Sequence, residues 1–155
     1  MASAETDIVI RPGTAADIPA VHALIMELAL FEREPEAVKT TPAELLADGF
    51  GTRPYYEVFV AEDPQQGIVG MTLFYTAYST WKGKIIYLDD LIVTESYRGK
   101  GLGRRLLDNL ITEARTRGVR QMRWQVLDWN EPAIALYRRI GAELDPTWIT
   151  CKLGL

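Results

Sequence analysis

One cysteine, Cys151, and one histidine, His22, stand in the 155 residues. A single cysteine excludes a disulfide framework within the chain, and a single histidine excludes the usual zinc clusters. His22 falls in a helical stretch and reads as a surface residue rather than a ligand. No apolar run approaches the roughly 20 residues that cross a bilayer as a helix. The first residues, Met-Ala-Ser-Ala-Glu-Thr-Asp, lack the basic, then apolar, pattern of a secretory leader. These absences predict a cytoplasmic protein with no metal and no membrane partner. Positive charge is not in surplus either: 17 Lys and Arg face 21 Asp and Glu, a net charge of −4. That balance argues against nucleic acid as the main partner. There is no repeat, low-complexity run or linker, so residues 1–155 read as a single domain. The 48% hydrophobic and 25% charged content is enough for a real core in a soluble domain of this length.

The charge that is present is unevenly spread. Residues 1–90 hold 6 Lys and Arg and 14 Asp and Glu, a balance of −8; residues 91–155 hold 11 and 7, a balance of +4. An acidic first part and a basic second part suit a cationic substrate beside an anionic cofactor. Scattered solvated faces would give the same count.

Residues 85–117 organise the chain. Ile85-Ile-Tyr-Leu-Asp-Asp-Leu-Ile-Val93 is β-branched and aromatic, which predicts a strand. From Arg104 to Arg117, with Leu102, Leu106, Leu107, Leu110, Ile111 and Ala114 at helical spacing, the pattern predicts an amphipathic helix. Between them lies Arg98-Gly99-Lys100-Gly101-Leu102-Gly103. Glycines at a helix N-terminus let backbone N–H groups close on an anion, and the helix dipole favours it. Arg98, Lys100 and Arg104 add positive charge there. A tight strand-to-helix connection is the plainer reading of the same turn. Two familiar phosphate motifs fail: Gly-Lys is followed by Gly101 where a P-loop needs Ser or Thr, and the dinucleotide fingerprint lacks its third small residue. Asp89-Asp90 interrupts the apolar strand. Neighbours on a strand face opposite sides, so one carboxylate is expected on each face. Either these acids sit on an edge or bulge, or one is held beside the anion turn facing a substrate.

Taken in order, Ile8–Ile10 predicts a strand. A helix follows, capped by Asp17, with Pro19 in its first turn and Ile18, Val21, Leu24, Ile25 and Leu28 as its buried stripe. It runs through Phe31 and Glu32 and stops before Pro35. Thr41-Pro-Ala-Glu44 is a capping box opening a short helix that ends at Gly49. Strands are expected over 55–62 and 68–78, with a bulge at Gly70, and with 85–93 they form an antiparallel meander. Gly118 ends the central helix. A strand over 121–128, with Met122, Trp124 and Val126 in the core, pairs parallel to 85–93 through a right-handed crossover. Asn130 caps a helix over 131–140, ended by Gly141, and 148–153 is a last strand. The fold class is α/β (α+β), order β-α-α-β-β-β-α-β-α-β: a mixed, mostly antiparallel sheet with helices on both faces. A ligand crevice is expected at the carboxyl ends of the parallel pair.

Arg98-x-x-Gly101-x-Gly103, after an apolar strand and opening a helix, resembles the acetyl-CoA motif of the GNAT N-acetyltransferases. Asn130-Glu-Pro-Ala-Ile-Ala-Leu-Tyr137-Arg-Arg-Ile-Gly141 is similar to that family's later motif. Within it, Ile10-Arg-Pro-Gly-Thr-Ala-Ala-Asp17, Glu44-Leu-Leu-Ala-Asp-Gly-Phe-Gly51, Tyr87-Leu-Asp-Asp90 and Trp129-Asn-Glu-Pro132 resemble the spermidine/spermine (diamine) acetyltransferases and their thialysine-acetylating relatives. The resemblance implies acetyl-CoA as cosubstrate, no metal, a small-molecule amine as acceptor and a homodimer. It implies that the backbone of Leu91, Ile92 and Val93 pairs with the pantetheine arm. The turn from Arg98 through Gly99, Lys100, Gly101, Leu102, Gly103 and Arg104 would hold the pyrophosphate. Asn130, Pro132 and Ala133 would touch the CoA arm further along. Tyr137 would be the general acid at the CoA sulfur, and Asp89 the catalytic acid residue near the amine. Phe31, Glu32, Trp81 and Asp90 would join Asp89 in the amine site. The chain departs from the diamine enzymes in three places: Asp stands at 89 where the family has Glu, an acid near the C-terminus is replaced around Pro146, and Tyr78-Ser-Thr-Trp81 lacks an acid before its tryptophan.

An alkylammonium titrates near 10.4, so about one molecule in a thousand is a free amine at neutral pH. Asp89 or Glu32, directly or through water, would take its proton. A backbone N–H near Ile92 or Val93 would hold the oxyanion, and Tyr137 would protonate the leaving thiolate. The expected function is transfer of an acetyl group to a primary amine of a small cationic substrate by direct attack. The alternatives are transfer to another amine, on an antibiotic or a protein lysine, and a non-catalytic acyl-CoA sensor.

Overall fold

The computed structural model describes residues 7–155. The leader reading concerns residues 1–6 and lies outside them. The chain divides into two compact units, one ending at Gln125 and the other Val126–Leu155, and each is taken by itself.

The first unit is a five-stranded sheet in the order β1-β2-β3-β4-β5, from β1 (Val9–Pro12), β2 (Glu57–Asp63), β3 (Gly67–Ser79), β4 (Gly83–Val93) and β5 (Met122–Arg123). β1 to β4 pair antiparallel, and β5 lies parallel to β4. Helices α1 (Ile18–Phe31), α2 (Pro42–Phe50) and α3 (Leu102–Arg117) complete it. Period-two alternation divides the core. Ile18, Val21 and Leu24 of α1 and Leu45 of α2 pack on Val58, Val60, Met71, Leu73 and Ile92. Leu102 and Leu106 of α3 pack with Ile8, Ala61 and Val69, with Leu91 and Val93 at the margin. Ile92 and its two neighbours thus serve opposite layers. Full burial of such side chains stabilises by about 1.5–3 kcal/mol each, and Val21, Val60, Met71, Leu106 and Leu107 are wholly buried.

The expected fold class holds, with local corrections. Asp17 stands at the N-cap position of α1, but its side chain makes no cap hydrogen bond to that helix. Its carboxylate accepts from Thr14 N–H at 2.8 Å, closing a 3-10 turn, and from Arg11 at 2.7 and 3.0 Å. Arg11 also donates to Glu62 at 2.8 Å, tying β1 to β2. α1 stops at Phe31 rather than at residue 34: Arg33 is left-handed (φ 64), and Glu34 N–H returns to Ala29 O at 2.9 Å. Gly49 lies inside α2 and does not end it. A Cβ there would collide with the ring of Tyr56, so the glycine is a packing requirement. The β2–β3 register slips beside Gly70, where Ala61 faces Gly70 and Glu62 faces Ile68. His22 is half-buried, and its Nε2 meets Thr40 O at 3.1 Å.

The largest difference is at the parallel edge. β5 pairs with β4 only through Met122–Ile86 and Arg123–Tyr87, not over 121–128. Met122, Trp124 and Val126 are half-buried rather than core, and only Met122 of the three stands in the ladder. On that side Leu88–Val93 have no strand partner among the described residues.

The second unit carries α4 (Glu131–Arg139). Asn130 Oδ1 accepts from Ala133 N–H at 3.4 Å, Pro132 sits in the first turn, and Ile134 and Tyr137 are buried. Gly141 (φ 84) closes it, with Ala142 N–H on Tyr137 O at 3.0 Å. The expected strand over 148–153 does not form: residues 142–155 hold neither helix nor strand, since no neighbouring strand pairs with them.

Candidate active site

β4 does not run straight through its two acids. Leu73 of β3 faces Asp90 and Phe74 faces Leu88, so Asp89 is an extra residue, a β-bulge. A bulge re-aims side chains by breaking the pleat. Asp89 and Asp90 consequently line one cavity together, instead of facing opposite sides of the sheet. Glu32, one residue past α1, lines the same cavity, which has a volume of about 380 Å³, in the range of about 300–1,000 Å³ usual for small-molecule sites. Its walls are Ile25, Leu28 and Ala29 of α1, residues 37–40, and the bulge.

Among the described residues no ion pair neutralises these three carboxylates, and burial makes each hold its proton more tightly. Asp90 is pushed up to about 7, by burial first, then by Asp89 and Glu32. Glu32 is raised by burial and by Asp89, and Asp89 by burial. Two tyrosines that the sequence reading placed in strands but not in the site feel the charge of Asp89. Tyr75 and Tyr87 face each other across β3 and β4 with ring centroids 5.3 Å apart. Both hydroxyls are raised by burial and then by Asp89. Their alternation had marked them only as strand residues; the register makes them neighbours. A site with three carboxylates that no described cation pairs with attracts a cation.

The turn before α3 is fixed from two directions. Glu27 of α1 accepts from Thr94 Oγ1 at 2.9 Å and from Glu95 N–H at 2.9 Å. Tyr97 donates its hydroxyl to the buried Asp63 at 2.7 Å, at the β2–β3 corner. Held between these anchors, the chain passes through Gly99 (φ 75) and Gly101 (φ 82), left-handed positions that suit glycine. A Cβ at either would meet nothing within 4 Å, so the backbone there is open to a ligand. Gly101 is the N-cap of α3, which leaves the first-turn N–H groups to a ligand or water.

The basic side chains of the turn are directed elsewhere. Arg98 donates Nε to Val93 O at 2.9 Å, approaches Glu27 at 3.4 Å and lies 5.0 Å from the Phe31 ring. Arg104 is paired with Asp108 at 2.9 Å, and Lys100 lies 5.4 Å from the Tyr97 ring. Arg98 and Phe31 join α1 to the turn. Leu102 is buried, and Gly103 stands near Val93, where a Cβ would lie 3.8 Å from Cγ2. Leu91 and Val93 are half-buried and Ile92 is buried. Trp81 is 80% exposed at the β3–β4 turn and does not line the cavity. Asn130, Pro132, Ala133 and Tyr137 belong to the second unit. The N–H of Ala133 is already taken by Asn130.

Residues 21–142 match the acetyltransferase (GNAT) family. The chain belongs to the GNAT acetyltransferases. Its product chemistry is acetyl transfer to an amine, and the family's acetyl donor is acetyl-CoA. The chain is 41% identical over 143 residues to a thialysine N-epsilon-acetyltransferase of Bos taurus, covering 88% of this chain and 84% of that one. It is 38% identical over 139 residues to the spermidine/spermine N(1)-acetyltransferase-like protein 1 of Homo sapiens, covering 86% of this chain and 20% of that protein. Among solved structures it is similar in fold to an aminoglycoside acetyltransferase from an uncultured soil metagenomic sample, with a TM-score of 0.79 and 19% identity over 97% of this chain and 99% of the other. Among the described residues no helix is long and apolar enough to cross a membrane, and no cluster of His, Cys, Asp and Glu could hold a metal ion.

Proposed function

We propose that this GNAT acetyltransferase acetylates a primary amine of a small cationic molecule, using acetyl-CoA and direct attack. The observation that carries this reading is the bulge at Asp89, which gathers Asp89, Asp90 and Glu32 in one cavity, none of them ion-paired among the described residues. The names of the thialysine and spermidine/spermine relatives agree with such a substrate.

The residues divide the work. Glu32, Asp89 and Asp90 draw in the ammonium. A base works best when its pKa lies near the working pH, and Asp90 at about 7 meets that condition; Asp89 is its neighbour and the second acceptor. The deprotonated amine attacks the acetyl carbon. The unpaired edge of β4, from Leu91 to Val93, aligns the acyl donor and supplies an N–H for the oxyanion. Gly99–Gly103 bind the pyrophosphate by backbone, assisted by Lys100 and Arg104 if their surface contacts are released, while Asn130, Pro132 and Ala133 serve the CoA arm. Tyr137 protonates the leaving thiolate, the role that the resemblance gives it. Trp81 is exposed and takes part only if the β3–β4 turn closes over the amine.

A homodimer and a cytoplasmic location complete the reading. Trp148 (74% exposed), Ile149 (87%) and Leu153 (86%) offer an apolar stretch that a second copy would cover. Sedimentation of the purified protein tests the dimer. The function is tested by thiol release from acetyl-CoA in the presence of thialysine, lysine, ornithine, diamines, polyamines, aminoglycosides and a lysine peptide. Turnover confined to the aminoglycosides or the peptide, or none with any amine, refutes the proposal.

A further inference from the structure

Among the described residues, Val38, Lys39 and Thr40 make a single hydrogen bond, and a histidine supplies it. Before them the chain has reversed at the left-handed Arg33, with Glu34 N–H on Ala29 O at 2.9 Å and Ala37 N–H on Glu34 O at 3.0 Å. After them Thr41 caps α2, its Oγ1 accepting from Glu44 N–H at 3.2 Å. Between these fixed points residues 38–40 form neither helix nor strand. Their one bond joins Nε2 of His22 to Thr40 O at 3.1 Å. A carbonyl only accepts, so Nε2 carries the hydrogen and donates it.

His22, Ile25, Ala29 and Glu32 follow one another at steps of three and four residues, so they lie along one side of α1 and its end. Ile25, Ala29 and Glu32 line the cavity of the acids, and so do Val38, Lys39 and Thr40. His22 therefore continues the cavity-lining stripe by one turn and reaches the wall that residues 37–40 form. A segment fixed at its ends but free in its middle must be ordered when a ligand arrives, at a cost in binding. A bond that fixes the middle beforehand removes that cost. We propose that His22 is a positioning residue of the amine site: by holding Thr40 O it keeps the wall 37–40 in place before the amine binds. This rests on the proposed acetylation of a small cationic amine and adds a residue to that site.

The test sets His22→Ala, His22→Gln and His22→Asn beside the wild type, with circular dichroism as the check on folding. A glutamine amide nitrogen stands where Nε2 stands and can donate; an asparagine amide nitrogen matches Nδ1 and falls short of Thr40. Loss of one such hydrogen bond is worth about two- to tenfold. KM for thialysine and for spermidine rises by that factor in His22→Ala and His22→Asn and returns in His22→Gln, with kcat and the Kd of acetyl-CoA unchanged. Trypsin cuts after Lys39 faster in the alanine and asparagine variants than in the wild type and the glutamine variant, the fragments being read by mass. A KM unmoved in His22→Ala, a KM that moves together with the Kd of acetyl-CoA, or an asparagine that restores as well as glutamine overturns the role of His22 and leaves the function of the chain intact. Absence of wild-type turnover with every amine overturns the acetylation reading and the amine role of His22 with it. The cutting rates then judge the wall alone, and equal rates in all four proteins overturn that hold as well.

Discussion

Replacing Asp90 by asparagine should make the protein more stable, and more so as the pH rises. The carboxyl of Asp90 is raised from 3.8 to about 7 by burial and by the charges of Asp89 and Glu32. In the unfolded chain it ionises at its ordinary value. Below about pH 4 both states carry the proton and the residue contributes nothing to the pH dependence. Between pH 4 and 7 the unfolded state loses its proton first, so stability falls as pH rises, and above 7 the penalty is constant. At about 1.36 kcal/mol per pKa unit, a shift of roughly 3 units sets a ceiling of about 4 kcal/mol. Water reaches this open cavity and screens its charges, so about half of the ceiling is expected. From pH 4.5 to pH 8 the advantage of Asp90→Asn should grow by about 1.5 kcal/mol, or roughly 3–6 °C in Tm for a chain of this size. Urea unfolding at the two pH values, with an unchanged m-value, measures it. A variant whose stability runs parallel to wild type across that range, or falls below it at pH 8, refutes the burial argument. The same variant should lose acetyl transfer, because an amide cannot take the amine proton.

Three other outcomes follow from the site. Gly101→Asp places a side chain and a negative charge in the open left-handed turn, and should abolish acetyl-CoA binding in calorimetry with circular dichroism unchanged; undiminished binding removes the turn from the cofactor site. Glu27→Ala frees Thr94, Glu95 and Arg98 together, and should weaken acetyl-CoA binding about tenfold, while Glu27→Gln, which keeps an acceptor for Glu95 N–H, recovers most of it; equal Kd values for all three proteins refute this positioning role. Tyr137→Phe removes only a hydroxyl, and should lower kcat at least tenfold, near the lower bound of general acid catalysis at about 10²-fold or just beneath it because a thiolate leaves readily; full kcat across the pH range makes Tyr137 a packing residue.

What could be read before the fold was seen was local. The caps at Thr41 and Asn130, the glycines around α3 and the meander from β2 to β4 each depend on residues close in sequence, and each appears. Glu32, Asp89 and Asp90 were legible as acids in unusual company. Their common cavity was not, because the bulge at Asp89 is defined by the register of β3, and strict alternation sends the two aspartates apart. The stacking of Tyr75 on Tyr87 is likewise a fact of register. The overextended β5 and the absent strand at 148–153 share one cause: β-rich sequence becomes a strand only where a partner offers a ladder.

The short β5 has a consequence for the protein between turnovers. Past Tyr87, β4 offers six residues of main chain with no strand beside them on that side among the described residues. Such an edge is a template on which any extended chain can add, including another copy of the same sequence. If the acyl donor lies along β4 as proposed, its pantetheine arm would take the place of a strand there, and the same bound donor would keep another extended chain off that edge.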